Sequence, residues 1–395
     1  MIQGATIAEP SGRGNAPAAS ADADARRIAA RIPRQMKAWV LGGPGELTLV
    51  EKPVPAPGAA ELLVRVDAVA VCGTDLEVIG HGEPALVRGG TPFNKNFTPG
   101  HEYMGTVAAV GPGVDEFAPG ERVAVEVHAG CGRCERCREG MYTACLNYGM
   151  NYGDRDKGHR ANGFTTDGGF AEYAVNHVNT IVRVPEGMSD EEATLIVTAG
   201  TAIYGLDVVG GLVAGQSVVV IGPGPIGLMA AAVAKALGAS PVILVGTGRD
   251  RSRLLTGLKL GADAVVDAQE RNAVEAVLRM TRGRGAHYVF ECSGARDAIN
   301  EAARMTSRGG RICAVAFAKE PVLVDVARLV SNNIYLFGIR GEGRSATRRA
   351  AALMAQQRFP AKLLHTHTFP FAEVPQAIRC AAERVGDPIK VVVKR

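Results

Sequence analysis

The chain has 395 residues, of which 49 are glycine and only 5% aromatic, and its formal net charge is +4. This length predicts about two or three domains, and the glycine content favours an α/β protein with tight turns. The small net charge, without a run of lysines and arginines, argues against nucleic-acid binding. We also expect no membrane span, because the most apolar helical stretch, 226–238, is shorter than the ~20 residues a bilayer requires.

Residues 1–35 differ in composition from the rest of the chain. They are rich in Ala, Ser, Gly, Pro and Arg and lack apolar periodicity, which predicts a disordered extension. Arginines between residues 26 and 34 would suit a transit peptide, but Glu9, Asp22 and Asp24 are unusual in one. Eight cysteines in a long chain without a secretory signal favour metal ligation over disulfides. We therefore expect a cytoplasmic protein.

The first half of the chain, from Met36 to about Leu195, reads as short strands separated by Gly/Pro turns. Its β-branched segments include LLVRVDAVAVC, GTVAAVGPGV and ERVAVEV. This pattern predicts a compact, mostly antiparallel β domain.

A possible catalytic metal site lies within this β domain. Cys72 stands at the end of one strand, and His101 and Glu102 follow about thirty residues later. A thiolate, an imidazole and a carboxylate suit zinc with one coordination position left open. Each of these residues alone is weak evidence, since single histidines and cysteines are usually structural.

A stronger metal signal follows in the segment GCGRCERCREGMYTAC. Cys131, Cys134 and Cys137 are separated by two residues each, and Cys145 follows after seven more. One short loop with this spacing can place four sulfurs around a tetrahedral ion. A closed shell of four thiolates predicts a structural zinc site.

From about Gln216 strands and helices alternate, which predicts βαβ units and a parallel sheet. The strand Val218–Ile221 leads into a glycine loop and then directly into a helix. The first glycine permits the turn, the second lets the backbone approach a pyrophosphate, and the third allows close helix packing. We therefore predict a dinucleotide site at Gly222, Gly224, Pro225, Ile226 and Gly227.

The residues after the second strand bear on the choice between NAD and NADP. An acid is expected there for NAD, but the position is occupied by Gly248, with Arg249 next. Arg249 could pair with a 2′-phosphate, so NADP is favoured over NAD. Asp250 would still serve NAD if the strand ended two residues later.

Taken together, these motifs resemble the zinc-dependent medium-chain dehydrogenases, the group of alcohol, sorbitol and threonine dehydrogenases. The motifs that carry the resemblance are CGTD at 72–75, GHE at 100–102, the cysteine loop at 131–145, GGFAEY at 168–173 and GPGPIG at 222–227.

The resemblance implies an α/β architecture, with a GroES-like β catalytic domain and a Rossmann cofactor domain built on a doubly wound parallel sheet. We expect the catalytic domain over 36–197, the cofactor domain over 198–341 and a C-terminal segment, 342–395, that returns to the catalytic domain.

The same resemblance implies one structural and one catalytic zinc, the latter acting as a Lewis acid on a substrate hydroxyl during hydride transfer. Thr74 matches a proton-relay hydroxyl, Glu102 a residue beside the zinc, and Thr201 a residue near the nicotinamide. Glu77 replaces a histidine common in alcohol and polyol members, as in sugar-oxidising relatives, and favours a polyol, sugar or cyclitol. The segment NNIYLFGIRG resembles an interface strand and implies a homodimer or homotetramer.

One departure from the family pattern keeps other functions open. Where the family supplies a third zinc ligand, this chain has Val197, which cannot coordinate a metal. Either Glu102 completes the shell, another residue substitutes, or catalytic zinc is weak or absent. The alternatives to a zinc-dependent secondary-alcohol dehydrogenase are a zinc-independent NADPH reductase of enones or quinones and a non-catalytic nucleotide-binding relative.

Overall fold

The computed structural model describes residues 32–82, 92–147, 160–318, 320–343 and 345–395. Residues 1–31 of the predicted N-terminal extension lie outside this part of the chain. The strands are β1 (Gln35–Leu41), β2 (Leu47–Pro53), β3 (Glu61–Val71), β4 (Glu102–Val110), β5 (Arg122–Val125), β6 (Tyr173–His177), β7 (Ile181–Arg183), β8 (Val218–Ile221), β9 (Val242–Gly246), β10 (Ala264–Asp267), β11 (Ala286–Glu291), β12 (Thr306–Ala314), β13 (Tyr335–Gly338), β14 (His365–Pro370) and β15 (Lys390–Lys394). The α-helices are α1 (Gly73–His81), α2 (Glu135–Arg138), α3 (Asp190–Thr194), α4 (Ile196–Ile203), α5 (Pro225–Ala236), α6 (Arg251–Lys259), α7 (Ala273–Met280), α8 (Ala298–Met305), α9 (Val326–Ser331), α10 (Ala346–Ala355) and α11 (Val374–Glu383).

The first large sheet is built mainly from the N-terminal half of the chain. Its strand order is β14-β15-β3-β4-β5-β7, with β6 also paired to β3. The pairs are antiparallel except for β14 with β15. The last strand of the chain therefore pairs with β3, and the C-terminal segment completes the sheet that the N-terminal half begins.

The second large sheet is parallel and has the order β10-β9-β8-β11-β12-β13. All four residues of β8 are buried, as are those of β9, which is typical of strands covered by helices on both faces. From β8 the chain adds strands toward one edge of the sheet as far as β10, and from β11 it adds strands toward the other edge, so the strand order reverses between β8 and β11. Ligands of doubly wound sheets bind at such a point, outside the carboxyl ends of the strands. The predicted α/β fold class is confirmed.

All residues of α4 are buried, and the apolar core that it joins contains residues of both large sheets. Ile196, Ala199, Ala202 and Ile203 belong to the same apolar core as α5 and α10. The stretch 190–209, which contains α3 and α4, is the one segment of the described chain long and apolar enough to cross a membrane. Its apolar window is 78% buried inside the protein, as in a core helix.

Candidate active site

Strand pairing brings the three predicted metal ligands together. Cys72 follows the end of β3, and Glu102 begins β4, where it pairs with Ala70 of β3. His101 directly precedes Glu102. The ligand atoms of Cys72, His101 and Glu102 lie within 4.8 Å of one another, as a single metal ion requires. A thiolate, an imidazole and a carboxylate are a donor set that fits zinc.

Asp75 fixes the orientation of the His101 ring. Its Oδ1 lies 2.9 Å from His101 Nδ1, and its Oδ2 accepts a hydrogen bond from the Cys72 backbone N–H at 2.9 Å. Burial opposes a charge on His101, but Asp75 and then Cys72 raise its pKa well above the ordinary value. The anionic groups thus favour positive charge here, and Asp75 leaves Nε2 as the nitrogen for a metal. The motif CGTD contained Asp75, but sequence reasoning assigned it no role.

Lys390 is a second residue that sequence reasoning missed. Its Nζ forms an ion pair with Glu102 Oε2, and the lysine is only 1% exposed. Burial opposes its charge, but Glu102 and then Cys72 raise the pKa of Lys390 above its ordinary value. The other Glu102 oxygen accepts a hydrogen bond of 3.3 Å from Thr198. Both oxygens of this carboxylate therefore have partners in the protein.

Val197 faces the apolar side of the site. It packs with Val127, Ala161 and Phe164 in a small cluster and is 3% exposed. Among the residues that the structure describes, the metal-ligand group here consists of Cys72, His101 and Glu102. The site therefore has an apolar wall where the family pattern would supply a third ligand.

The other predicted catalytic residues fall into different environments. Thr74 Oγ1 lies 3.9 Å from Cys72 Sγ, next to the metal group. Thr201 is buried, and its hydroxyl contacts the Val197 carbonyl at 3.3 Å. Glu77 lies on α1 with its side chain 55% exposed and pairs with His81 at 3.5 Å. Within the described residues, no hydrogen bond or ion pair joins Glu77 to the metal group, so its role stays a prediction.

A pair of buried glutamates, each after a strand of a different large sheet, was not predicted. Glu126 follows β5 and Glu342 follows β13; they are 5% and 2% exposed. Glu342 accepts hydrogen bonds from Val127 N–H at 2.9 Å and from the Thr201 hydroxyl at 3.5 Å. Burial and then Glu342 raise the pKa of Glu126 to about 8, and burial raises that of Glu342 to about 7. Burial therefore favours the neutral form of both carboxyls.

Aromatic contacts join the metal group to the loop after β13. The ring centroids of His101 and Phe164 are 4.8 Å apart, and those of Phe164 and His128 are 6.5 Å apart. A Cβ on Gly341 would lie 3.2 Å from the His128 ring. The metal group thus lies close to the carboxyl edge of the parallel sheet, where a dinucleotide would bind.

The four cysteines of the loop form a second group. The sulfurs of Cys131, Cys134, Cys137 and Cys145 lie within 4.8 Å of one another, with 4.0 Å between those of Cys131 and Cys137. Although burial opposes it, backbone N–H groups lower the pKa of Cys131 to about 6, whereas burial raises that of Cys145 to about 11. A cation is needed to hold all of them as thiolates, and this donor set fits tetrahedral zinc.

The glycine loop has the geometry that its spacing predicts. Gly222 has φ of +100°, and a Cβ on Gly227 would lie 1.9 Å from the Gly222 carbonyl oxygen. A Cβ on Gly224 would meet nothing within 4 Å, so the loop is open at this point. Pro225 occupies the first turn of α5, and Ile226 is half-buried against the core. The loop can therefore present α5 N–H groups to a phosphate.

The end of β9 carries the residues predicted to select the cofactor. Arg249 is exposed. The Asp250 Oδ2 accepts hydrogen bonds from Thr247 N–H at 3.3 Å and from the Thr247 hydroxyl at 2.9 Å. Its Oδ1 lies 3.2 Å from Nη1 of Arg384, a residue after α11. Asp250 therefore caps its own turn and does not offer a free carboxylate.

Two family models match the chain. Residues 58–186 match the alcohol dehydrogenase GroES-like domain, and residues 225–356 match the zinc-binding dehydrogenase domain.

Curated relatives and solved structures extend this similarity. The L-threonine 3-dehydrogenase of Pyrococcus furiosus is 36% identical over 74% of this chain and 79% of its own. The sorbitol dehydrogenase of Bacillus subtilis is 31% identical over 92% of this chain and 98% of its own. A Sinorhizobium meliloti 1021 protein, described as a zinc-binding dehydrogenase and solved with NADP, has a TM-score of 0.78 at 26% identity and covers 92% of this chain and 100% of its own.

Proposed function

The chain belongs to the zinc-dependent medium-chain dehydrogenases, which transfer hydride between an alcohol and NAD(P), and we propose that it oxidises a secondary alcohol of the polyol, sugar or cyclitol class with NADP. The observation that carries this proposal is the convergence of Cys72, His101 and Glu102 near the carboxyl edge of the parallel sheet. An open glycine loop stands at the same edge. The substrate hydroxyl and the nicotinamide ring would therefore meet at the same edge of the sheet.

The metal group would hold the catalytic zinc, and the four-cysteine loop would hold a structural one. When bound at the first site, zinc supplies Lewis acidity that lowers the pKa of a substrate hydroxyl. Asp75 orients His101, and Thr74 is near enough to the group to accept a hydrogen bond from the substrate hydroxyl and, by passing on its own proton, to begin a proton relay. The apolar wall of Val127, Val197 and Phe164 excludes water from the reacting carbon.

The proposed substrate class rests on the relatives and on the polarity of the site. Sorbitol is a polyol, and the 3-hydroxyl named for the threonine relatives belongs to a secondary alcohol. The Glu77 carboxylate is exposed on α1, five residues after Cys72, where it can accept hydrogen bonds from several hydroxyls. A panel of alcohols and polyols, read as NADPH or NADH absorbance, tests both substrate class and cofactor. Activity confined to enones or quinones would favour the zinc-independent reductase.

The NADP preference rests on the residues at the end of β9. Arg249 is exposed, whereas the Asp250 carboxylate is occupied by Thr247 and Arg384. A 2′-phosphate would therefore meet a cation before it met an unpaired acid.

Metal counting tests the two-zinc proposal. We expect two zinc ions per chain by plasma mass spectrometry, one after Cys137→Ser and one after Cys72→Ala. Cys72→Ala should also abolish turnover while the protein stays folded. Cys380→Ser changes a buried thiol outside both groups and should keep both ions. A single zinc that survives Cys72→Ala with turnover intact would contradict catalysis at Cys72.

We further propose a homo-oligomer, a dimer or tetramer, joined through β13. This strand pairs only with β12 among the described strands, which leaves one edge open. Nearby apolar side chains are exposed, with Tyr335 at 62% and Val330 at 71%. Light scattering should show that Tyr335→Lys reduces the assembly. Leu255→Lys, which changes an exposed residue of α6, should not.

We also propose the domain limits and the cellular compartment that the sequence predicts. The catalytic domain would comprise 36–197 and 342–395, and the cofactor domain 198–341; the two large sheets support this division. All eight cysteines are free thiols, which suits a reducing cytoplasm.

A further inference from the structure

We infer that Arg384, which lies outside the cofactor domain, determines the preference for NADP by masking the Asp250 carboxylate at the adenosine end of the cofactor site. This inference rests on the NADP-dependent function proposed above. It assigns a specificity role to a residue more than a hundred positions away in the chain from the turn that reads the ribose.

Asp250 occupies the region where a dinucleotide ribose is recognised. It lies four residues after the end of β9, and in NAD sites an acid at this edge accepts hydrogen bonds from the ribose hydroxyls. Here the Asp250 Oδ2 is used by Thr247, and the side chain is only 17% exposed. The remaining oxygen, Oδ1, is the one that would either bind a ribose hydroxyl or repel a 2′-phosphate.

Arg384 occupies that remaining oxygen. Its Nη1 lies 3.2 Å from Asp250 Oδ1, and its Nη2 donates to the Arg249 backbone carbonyl at 3.3 Å. The same Nη2 lies 3.2 Å from Asp387 Oδ1. The guanidinium is thus held by groups of both proposed domains and contacts the turn that carries Arg249.

The backbone at Arg384 directs its side chain to this position. The residue ends α11 in the left-handed conformation, with φ of 56° and ψ of 38°. Glycine adopts this conformation with less strain and is the usual residue after a helix. An arginine here supplies a side chain that reaches the cofactor domain.

Further contacts hold the same loop against α6. The Ser252 hydroxyl donates to Asp387, and the Arg253 guanidinium donates to the Pro388 carbonyl. The loop 384–388 and the start of α6 therefore form a latch between the two domains. The latch places the guanidinium groups of Arg253 and Arg384 beside the carboxylates of Asp250 and Asp387, and the exposed Arg249 belongs to the same turn as Asp250.

The charge balance of the latch favours a phosphate. A 2′-phosphate adds negative charge next to Asp250, and an unpaired carboxylate there would repel it. With Arg384 paired to Asp250, the exposed Arg249 is the charged group that the phosphate meets. Removing Arg384 would both release the Asp250 charge and free an oxygen to accept a hydroxyl of NADH.

The test is a double-mutant comparison of Arg384→Met and Asp250→Asn, with dissociation constants for NADPH and NADH measured by quenching of protein fluorescence or by calorimetry. We expect Arg384→Met to weaken NADPH binding by about tenfold or more and to leave NADH binding unchanged or tighter. In the Asp250→Asn background, the same change should have little effect on NADPH, because no charge is then released. Arg384→Lys should retain the preference for NADPH.

Matched variants separate this role from a structural one. Arg379→Met removes an exposed arginine of the same helix and should not change either constant. Asp387→Asn weakens the latch contacts of Asp387 with Arg384 and Ser252 but leaves the Arg384–Asp250 pair, and it should keep the preference. An equal loss of NADPH affinity with and without Asp250→Asn would overturn the masking role. A wild-type preference for NADH would overturn the NADP proposal and this inference with it.

Discussion

Lys390 and Glu102 form a buried ion pair in which the last strand of the chain meets the first residue of β4, beside the Cys72 sulfur. Because the lysine is 1% exposed, its charge depends on this carboxylate for compensation. The pair also holds Glu102 beside Cys72 and His101, while the ammonium balances the charge of the carboxylate. Glu102 can therefore lie beside a cation without adding an uncompensated negative charge to the site.

We predict that Lys390→Met destabilises the protein by about 3–5 kcal/mol, because it leaves the Glu102 carboxylate buried without a partner. The measurement is urea unfolding of the zinc-loaded enzyme. Adding Glu102→Gln should recover part of the loss. Lys394→Met removes a half-exposed lysine from the same strand and should change stability by about 1 kcal/mol or less. Equal losses for the two lysines would contradict a special role for the buried pair.

Asp75→Asn should weaken metal binding at the Cys72 group by about 10–100-fold, because the His101 ring loses the carboxylate that orients it. Competition with a chromophoric chelator measures this affinity, and the four-cysteine loop serves as an internal reference. Glu77→Gln alters an exposed carboxylate on the same helix and should leave the affinity unchanged. If Asp75→Asn weakened zinc binding equally at both metal groups, the substitution would act on folding and not on the orientation of His101.

Gly224→Ala and Gly227→Ala should separate cofactor binding from folding. A methyl group on Gly224 meets open space, so the variant should fold normally and lose nucleotide affinity where the pyrophosphate approaches. A methyl group on Gly227 collides with the Gly222 carbonyl, and we expect a loss of stability of about 1–3 kcal/mol. Thermal melting with and without NADPH distinguishes them. Normal NADPH binding by Gly224→Ala would exclude the proposed phosphate position.

Glu126→Gln should alter how stability depends on pH. The raised pKa of Glu126 means that the folded protein keeps a proton which the unfolded chain releases near its ordinary value of 4.5. This contribution to stability is therefore present below that value and is lost as the pH rises through about 8. Relative to Glu126→Gln, the wild type should lose up to about 1.4 kcal/mol per pH unit in this window.

Denaturant unfolding at several pH values provides the measurement for Glu126. The exposed Glu51→Gln variant is the control, and its curve should run parallel to that of the wild type. If the free energy of unfolding of Glu126→Gln also ran parallel to that of the wild type across the pH range, the Glu126 carboxyl would be ionised throughout that range.

The parts of the structure that could be predicted from the sequence are those whose residues lie within one short segment of the chain. The cysteine loop and the glycine loop each place their atoms through local spacing, so Cys131 and Gly222 could be assigned without a fold. Cys72 follows β3 and His101 precedes β4, so their meeting could be proposed from the residue types and the family resemblance but not from local spacing.

The parts that sequence could not predict depend on long-range pairing. In the sequence, Lys390 has no feature that distinguishes it from an exposed lysine at the start of a strand. The pairing of β15 with β3 brings it to Glu102. Glu342 and Glu126 come from different sheets, and Arg384 reaches Asp250 across the two domains. A buried charge carries no local signal, because its partner is defined by tertiary structure.

The position of β15 has a consequence for the order of assembly. This strand follows every strand of the parallel sheet along the chain, yet it lies inside the catalytic sheet and brings Lys390 to Glu102. During synthesis the strands of the parallel sheet therefore emerge before an internal strand of the catalytic sheet does. Charge compensation of the Glu102 carboxylate thus depends on a segment that is made after the whole cofactor domain.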